Sequence, residues 1–286
     1  MGAPIAAIIC AAGSSKRMGG IKKEYIDFPS PSKGEPSTVL ASVVAAFASC
    51  ERIGPIIIAV PTRGEDAALA SLSAEQRSLI KGRIFFVQGG ATRRSSVHNA
   101  LLHLKAGERS AEISQVLIHD GARPWVSSDL IERVIEASLR YGAVIPALPL
   151  TETPKELFPR DCNPLDYNSA DCCYAPPGAA AENKSATPDA QSQNNFLLPG
   201  AAAQTSGQVS FIKRHLKRRE LCSAQTPQGF KFPEILLAHE KAAEREKKEN
   251  IEYTDDAEVW GEFIGQVAVI SGDPANKKIT YPEDLL

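Results

Sequence analysis

The chain has 286 residues, of which 43% are hydrophobic and 23% are charged, and its formal net charge is −2. This composition is typical of globular proteins and excludes fibrous and wholly disordered chains. The near balance of 32 Lys and Arg against 34 Asp and Glu argues against nucleic acid as a partner, because phosphate-backbone binders usually carry a basic excess. Small phosphorylated ligands need only a local group of cations, so they stay open.

We also expect neither a membrane helix nor a signal peptide. No apolar stretch reaches the roughly 18 residues of a membrane helix, so we expect no membrane partner. The apolar segment 3–12 lacks the preceding Lys or Arg of a signal peptide. The six cysteines form no C-x-x-C pair, and Cys172 and Cys173 are adjacent. Because this is neither a zinc pattern nor a disulfide framework, it favours a reducing, cytoplasmic location.

The first half of the chain alternates short apolar strands with helices. Gly142 is the expected residue after the last of these helices. Strands separated by helices predict right-handed crossovers and an α/β fold, with a mostly parallel Rossmann-like sheet and helices on both faces. The predicted strands cover 5–10, 55–60, 83–87, 116–119 and 143–148. The predicted helices cover 37–50, 65–80, 91–105 and the stretch from the N-cap candidates Ser127 and Ser128 to Tyr141.

This alternation stops in segment 159–208, where Ala, Pro, Asn, Gln, Ser, Gly and Thr predominate. Few large apolar side chains are available there to offset the entropy of ordering, so we predict a low-complexity, mostly disordered insert. Its three cysteines lack metal-ligand spacing. After the insert, helices are predicted over 232–248 and over 254–263 with Thr254 as cap, followed by a strand over 267–270 and a terminal turn over 282–286.

A small-residue segment, Ala11-Ala12-Gly13-Ser14-Ser15-Lys16-Arg17-Met18, directly follows the first strand. Small residues let backbone N–H groups approach a ligand, and a Gly-containing turn that enters a helix can bind an anion. The segment matches neither the dinucleotide G-x-G-x-x-G pattern nor the P-loop. Two interpretations therefore stay open, a phosphate-binding turn or an ordinary turn with solvated cations. Lys23 follows nearby, in a Lys22-Lys23 pair that is by itself typical of an exposed surface.

Two more turns are predicted at the same edge of the sheet. Gly89-Gly90 follows the third strand, and Asp120 ends the fourth within His119-Asp120-Gly121-Ala122-Arg123-Pro124. Ligands of open parallel sheets bind at the carboxyl ends of the strands, so these turns should face the first loop. Asp120 could hold Mg²⁺ against a nucleotide phosphate, or it could cap the next segment. His119 is interpreted as a packed residue at a strand end.

The remaining cations complete this inventory. Five of the seven residues in 213–219 are Lys or Arg, which is typical of a solvated face unless one of them binds phosphate. Lys278 is another candidate for phosphate. No Ser–His or Cys–His nucleophile pair is indicated. Arg and Lys on several turns around one metal-ready carboxylate suit nucleotidyl transfer, in which the protein holds the reactants in line and stabilises charge at the reacting phosphorus.

Together these motifs resemble the 2-C-methyl-D-erythritol 4-phosphate cytidylyltransferase family of the nucleotide-diphospho-sugar transferase superfamily, over nearly the whole chain outside the insert. The segments that carry the resemblance are 11–18 with Lys23, 89–93 with Ser96-Val97, 119–124, Thr151-Glu152-Thr153-Pro154-Lys155, Gln225-Thr226-Pro227-Gln228, Thr254-Asp255-Asp256-Ala257 and 278–284. The chain departs from the family pattern at Cys10, Glu152, Pro154 and Ala275, and the last departure puts a second metal contact in question.

The resemblance implies a homodimeric enzyme of non-mevalonate isoprenoid precursor biosynthesis, which joins CTP to methylerythritol 4-phosphate and releases diphosphate. It also implies one catalytic domain over 1–286 and a protruding β-arm over 150–219, which is used in dimerisation and is interrupted by 159–208. The residue roles that it implies are Arg17 and Lys23 in catalysis, Ala12, Gly13, Gly89 and Ser96 at the nucleotide, Asp120 at Mg²⁺, and Thr153, Lys278 and the partner subunit's Arg218 at the substrate phosphate.

Two alternatives remain open beside this reading. A ribitol 5-phosphate cytidylyltransferase would share most of these motifs. A catalytically silent nucleotide-binding module is an alternative of another class, although the presence of Arg17, Lys23 and Asp120 argues against it.

Overall fold

The computed structural model describes residues 4–29, 37–79, 82–158 and 210–285. The chain divides into two compact units, one formed by Met1–Pro149 with Cys222–Leu286 and the other by Leu150–Leu221. Each unit is described by itself. The predicted insert 159–208 lies outside the described residues. No helix within the described ranges is long and apolar enough to cross a membrane.

The elements follow the predicted alternation closely in the first half of the chain. The strands are β1 (Ile5–Cys10), β2 (Asp27–Phe28), β3 (Ser37–Thr38), β4 (Ile53–Val60), β5 (Ile84–Gln88), β6 (Gln115–Asp120), β7 (Ala143–Pro149), β8 (Lys155–Leu157), β9 (Ile212–His215), β10 (Cys222–Ala224), β11 (Gln228–Lys231) and β12 (Ala268–Ser271). The α-helices are α1 (Val39–Ala48), α2 (Glu65–Ser71), α3 (Ala74–Leu79), α4 (Arg93–Ala106), α5 (Ser128–Tyr141), α6 (Glu234–Glu249) and α7 (Asp256–Phe263).

An eight-stranded mixed sheet forms the centre of the first unit, in the order β10-β7-β11-β6-β1-β4-β5, with β12 paired to β7. Strands β6, β1, β4 and β5 are parallel neighbours, and β12 is parallel to β7. The α/β fold with a mostly parallel sheet is thereby confirmed. Strand β11 runs antiparallel between β6 and β7, and β10 runs antiparallel to β7. The sequence analysis did not predict these two short strands, whose partners β7 and β6 lie far away in the chain.

Helices cover both faces of the sheet, as predicted. Alternate residues of a strand point to opposite faces, so Ile5, Ala7 and Ile9 of β1 pack on one side with residues of α1 and α5. Ala6 and Ile8 pack on the other side with residues of α4, α6 and α7. A strand covered on both faces must be apolar throughout, which explains the continuous runs of β1 and β4.

Two predicted helix boundaries are wrong, for local reasons. The predicted helix 65–80 is two helices, because the Ser73 backbone N–H donates to Gln76 Oε1 and Ser73 Oγ accepts from the Gln76 N–H, which starts α3 anew. The cap of α7 is Asp255 rather than Thr254, since Asp255 Oδ1 accepts from the Ala257 N–H at 2.6 Å.

The predicted boundaries of helix α5 are confirmed at both ends. Ser127 caps α5 at its N-terminus, and Gly142 ends it with a φ of 81°.

The second unit contains a two-stranded antiparallel ladder of β8 and β9. At its end, the Phe158 N–H donates to the Phe211 carbonyl at 3.0 Å. Glu156 forms ion pairs with Lys213 and Arg214. This ladder is a β-structure inside the region predicted as the arm, while the single catalytic domain and the use of the arm in dimerisation stay predictions.

Candidate active site

A cleft of about 660 Å³ lies at the carboxyl ends of the parallel strands of the first unit. Parallel strands end at one edge, so the loops that follow β1, β4, β5 and β6 converge there. The cleft brings together every site residue predicted within this unit, namely Ala12, Gly13, Arg17, Lys23, Gly89, Ser96, Asp120 and Lys278. The other two predicted site residues, Thr153 and Arg218, belong to the second unit, where Arg218 Nη1 donates to the Thr151 carbonyl at 2.7 Å.

Residues 11–18 form one wall of the cleft, and we call them the nucleotide loop after the role that the family resemblance implies for them. The Ala11 N–H donates to the Ala59 carbonyl at 2.9 Å, so the loop leaves the sheet in line with β4. The loop enters a three-residue 3₁₀ turn at Lys16–Met18 and no α-helix. Arg17 is exposed, with its guanidinium carbon 5.8 Å from the centre of the Tyr281 ring.

Close packing against the turn after β5 completes this wall. A Cβ placed on Gly89 would overlap the Ala12 Cβ and lie 3.0 Å from Ser96 Oγ. Ser96 Oγ in turn donates to the Thr92 carbonyl and accepts from the Gly90 N–H. Glycine at position 89 is therefore needed for the approach of two loops, whereas a Cβ on Gly13 would meet nothing within 4 Å.

The two glycines should consequently respond differently to alanine. Gly89→Ala overpacks the contact with Ala12 and should lower the free energy of unfolding by about 1–3 kcal/mol. Gly13→Ala should leave that free energy nearly unchanged but weaken CTP binding, because the new methyl group enters the open space of the cleft. Urea unfolding and CTP titration of both variants test this pair, and equal loss of stability in the two would contradict the assignment.

Asp120 lies at the centre of a group of cations. Its carboxylate is 3.3 Å from Arg93 Nε, 2.8 Å from Lys278 Nζ and 3.6 Å from Arg123 Nε. Burial alone would raise the pKa of Asp120, but Arg93 and Lys278 outweigh it and hold this pKa well below its usual range. The side chain is therefore an anion at neutral pH, which is the state required of a metal ligand.

The Asp120 backbone is fixed by a chain of hydrogen bonds that begins at a neutral histidine. Burial lowers the pKa of His119 to about 4. His119 Nε2 lies 3.3 Å from the Arg123 carbonyl, to which it must donate, so Nδ1 accepts from the Thr226 hydroxyl at 3.1 Å. Thr226 Oγ1 then accepts from the Asp120 N–H at 3.1 Å. His119 is a packed strand residue, as predicted, and it also orients the site.

Arg93 lines the cleft, and the sequence analysis assigned it no role. It bridges Asp120 and Asp256, with 2.7 Å between Arg93 Nη1 and Asp256 Oδ2. Asp256 is only 1% exposed and also pairs with His239 Nε2 at 3.3 Å. Although burial opposes the charge on Arg93, the two carboxylates raise its pKa well above the ordinary value. Two sequence signals pointed to Arg93, its place just after the Gly89-Gly90 turn and its membership of segment 89–93, which carries the family resemblance.

Lys23 reaches across the cleft to the C-terminal segment, where its Nζ donates to the Ile279 carbonyl at 2.8 Å. Burial lowers the pKa of Lys23, and it outweighs Glu24 and Asp120, which act in the opposite direction. The neighbouring cations of Lys278 and Arg17 lower this pKa further. Interpreting the Lys22-Lys23 pair as surface decoration is therefore wrong, because Lys23 is half-buried in the cleft.

The chemistry available in this cleft is electrostatic. Cations surround the ionised carboxylate of Asp120. No group of three or more His, Cys, Asp or Glu suited to a metal occurs within the described ranges. The thiol beside the loop is no nucleophile at neutral pH, because burial raises the pKa of Cys10 to about 12. Such a cleft can bind phosphate groups and stabilise negative charge on them.

Comparison with known proteins agrees with this geometry. The model of the IspD family, 2-C-methyl-D-erythritol 4-phosphate cytidylyltransferase, matches residues 5–158 and 201–286. The chain belongs to the 2-C-methyl-D-erythritol 4-phosphate cytidylyltransferase family. The sequence resemblance is thus confirmed, and membership makes the chain a nucleotidyltransferase.

Individual relatives cover nearly the whole chain. A 2-C-methyl-D-erythritol 4-phosphate cytidylyltransferase of Clostridium botulinum is 31% identical over 283 residues, which are 99% of this chain and 96% of the relative. A bifunctional enzyme IspD/IspF of Anaeromyxobacter is 30% identical over 282 residues, and the match spans 98% of this chain but only 55% of that enzyme.

A solved structure supports the fold. The 4-diphosphocytidyl-2C-methyl-D-erythritol synthase of Anaerococcus prevotii superposes with a TM-score of 0.63 at 24% identity, covering 99% of this chain and 92% of the other. At this identity the likeness supports the α/β fold alone.

The family match skips residues 159–200, within the predicted insert. Because Phe158 and Phe211 are already hydrogen-bonded, a short turn can join the two strands of the ladder. Replacing 159–208 with about four turn-forming residues should preserve turnover. It should also stabilise the fold by about 2 kcal/mol, the closure entropy of the longer loop. Steady-state kinetics and urea unfolding check this, and a folded but inactive product would contradict it.

Proposed function

We propose that the cleft transfers a cytidylyl group from CTP to 2-C-methyl-D-erythritol 4-phosphate, the reaction for which the family is named. The observation that carries the proposal is the convergence of Arg17, Lys23 and Lys278 on a cleft whose small-residue loop can approach a nucleotide. An oxygen of the alcohol phosphate attacks the α-phosphorus of CTP, the new P–O bond forms, and the bond to diphosphate breaks. A phosphate is already ionised near neutral pH, so no general base is required.

The residue roles follow from charge and position. Arg17 and Lys23 would bind the CTP phosphates and stabilise the charge on the five-coordinate phosphorus. The nucleotide would lie against Ala12, Gly13, Gly89 and Ser96, where little side-chain volume obstructs it. Lys278, whose side chain is 38% exposed, would bind the substrate phosphate.

The site also fits Mg²⁺. One ionised carboxylate with substrate phosphates and water is a common ligand set for this ion, and Asp120 provides that carboxylate at the edge of the cleft. When bound there, Mg²⁺ would neutralise phosphate charge. The position of Ala275 offers no carboxylate, so Asp120 would be the protein's ligand.

The family resemblance assigns Thr153 and the partner subunit's Arg218 to the phosphate of the alcohol substrate, and we include both in the proposal. A homodimer is supported by the β8–β9 ladder, because a two-stranded ladder is marginal alone and its register partners Leu157 and Ile212 are 52% and 48% exposed. A cytoplasmic location is proposed from the cysteines, and Cys10, Cys50 and Cys222 are free thiols.

The deciding experiment is a paired turnover assay. The enzyme is given CTP and Mg²⁺ with either 2-C-methyl-D-erythritol 4-phosphate or ribitol 5-phosphate, and diphosphate release is measured. We expect a clear preference for the first substrate, which the names of the curated relatives also favour. A preference for ribitol 5-phosphate would overturn the substrate, and no diphosphate with either would favour a silent nucleotide-binding module.

A further inference from the structure

Lys22 contacts the nucleotide loop from its carbonyl side. Its Nζ donates to the Ala11 carbonyl at 2.7 Å and to the Gly13 carbonyl at 2.5 Å. Glu24 Oε2 lies 3.3 Å from the same ammonium, and the Glu24 side chain is 3% exposed. Burial lowers the pKa of Lys22, whereas Glu24 acts in the opposite direction and favours its charged form.

The two hydrogen bonds from Lys22 also set the direction of two backbone N–H groups in the loop. In a planar trans peptide, the carbonyl of one residue and the N–H of the next point in opposite directions. Turning the Ala11 and Gly13 carbonyls toward Lys22 therefore turns the Ala12 and Ser14 N–H groups away from it. Both Ala12 and Ser14 line the cleft.

We propose that Lys22 is a positioning residue that holds the nucleotide loop with the Ala12 and Ser14 N–H groups directed at a phosphate or base of the bound nucleotide. Its ammonium binds the two carbonyls that those N–H groups oppose, and Glu24 balances the buried charge. This role differs from that of Lys23, which lines the cleft itself. The inference rests on the proposed function in taking CTP as the ligand.

A competing explanation is that Lys22 only neutralises Glu24. Glu24 also lines the cleft, so an unpaired carboxylate there would repel a triphosphate. The double variant Lys22→Met/Glu24→Gln separates the two explanations, because it removes the ammonium and the carboxylate together. Lys277→Met is the matched control, since Lys277 is an exposed lysine next to Lys278.

The experiment measures the dissociation constant of CTP with Mg²⁺ by calorimetry, together with the melting midpoint of each variant. Loss of about one net hydrogen bond should weaken CTP roughly tenfold in Lys22→Met. The double variant should stay weakened to a similar degree, while Lys277→Met binds like the wild type. The KM for the alcohol phosphate should not change in any of the three.

The remaining outcomes of this experiment each decide between the proposal and an alternative. Recovery of CTP affinity in the double variant would overturn the proposal in favour of charge neutralisation, and wild-type affinity in folded Lys22→Met would also overturn it. If Lys22→Met melts below the assay temperature, the double variant, which lacks the buried unpaired carboxylate, carries the test alone. Failure of the wild type to bind CTP would instead refute the proposed function.

Discussion

Lys23→Ala should lower kcat by about 100- to 1,000-fold, the usual cost of removing one preorganised donor from a developing negative charge. The ammonium lies among Arg17, Lys278 and Asp120, where phosphates of CTP would be bound. Among the described residues, the Lys23 ammonium donates one hydrogen bond, to the Ile279 carbonyl. Loss of that bond should lower the free energy of unfolding by about 1 kcal/mol and the melting midpoint by about 2–4 °C.

The control for this prediction is Lys277→Ala, which removes an exposed lysine from the same segment as Lys278. Pre-steady-state kinetics at saturating CTP and melting curves should be recorded for both variants. Comparable kcat for Lys23→Ala and Lys277→Ala would remove Lys23 from the catalytic groups. A large fall in melting midpoint with unchanged turnover per folded molecule would make Lys23 a structural residue.

The pH dependence gives an independent check on Lys23. Its ammonium is the active form, and burial lowers its pKa, so activity should fall as pH rises through a value below the ordinary lysine pKa of about 10.4. The residual activity of Lys23→Ala should lack this alkaline limb. A limb that persists in the variant at the same pH would belong to another group.

Sequence reasoning predicted the parts of the fold that depend on local pattern. Strands β1 and β4 and helix α5 follow from apolar runs, caps and a terminating glycine, so their existence was predictable. Strands β10 and β11 were not, because their pairing with β7 and β6 joins residues far apart in the chain. A three-residue strand gains its stability from such partners and leaves no periodic pattern of its own.

In the candidate site, too, residues placed by local pattern were predictable and residues placed by distant contacts were not. Residues that stand in loops beside strand ends, such as Gly89 and Asp120, were predictable because parallel strands end at one edge. Those that act through a distant partner were missed. Asp256 and His239 reach the cleft only through Arg93, and the pairing of Lys22 with loop carbonyls requires the three-dimensional turn at 18–22. No sequence pattern distinguishes Lys22 from an exposed lysine.

Asp120→Asn should raise the Mg²⁺ concentration for half-maximal activity at least tenfold and lower kcat/KM by about two orders of magnitude. An amide lacks the charge to bind the cation, and it leaves Lys278 and Arg123 without their anion. Because the folded pKa of Asp120 is depressed, its stabilising effect is present above the unfolded value of about 3.9 and is lost as pH falls through the folded pKa. The variant should therefore also be less stable at neutral pH.

Lys278→Met separates metal binding from these ion pairs. The Lys278 ammonium is 2.8 Å from Asp120 Oδ2, so it competes with a cation for that oxygen. Removal of the ammonium should lower the Mg²⁺ concentration for half-saturation and raise the KM for the alcohol phosphate. Asp120→Asn, in contrast, should raise the Mg²⁺ concentration for half-saturation. Binding of Mn²⁺ with CTP, followed by electron paramagnetic resonance, gives a readout without turnover. If both variants weaken Mn²⁺ equally, Asp120 acts only by ordering its cations and does not hold the metal.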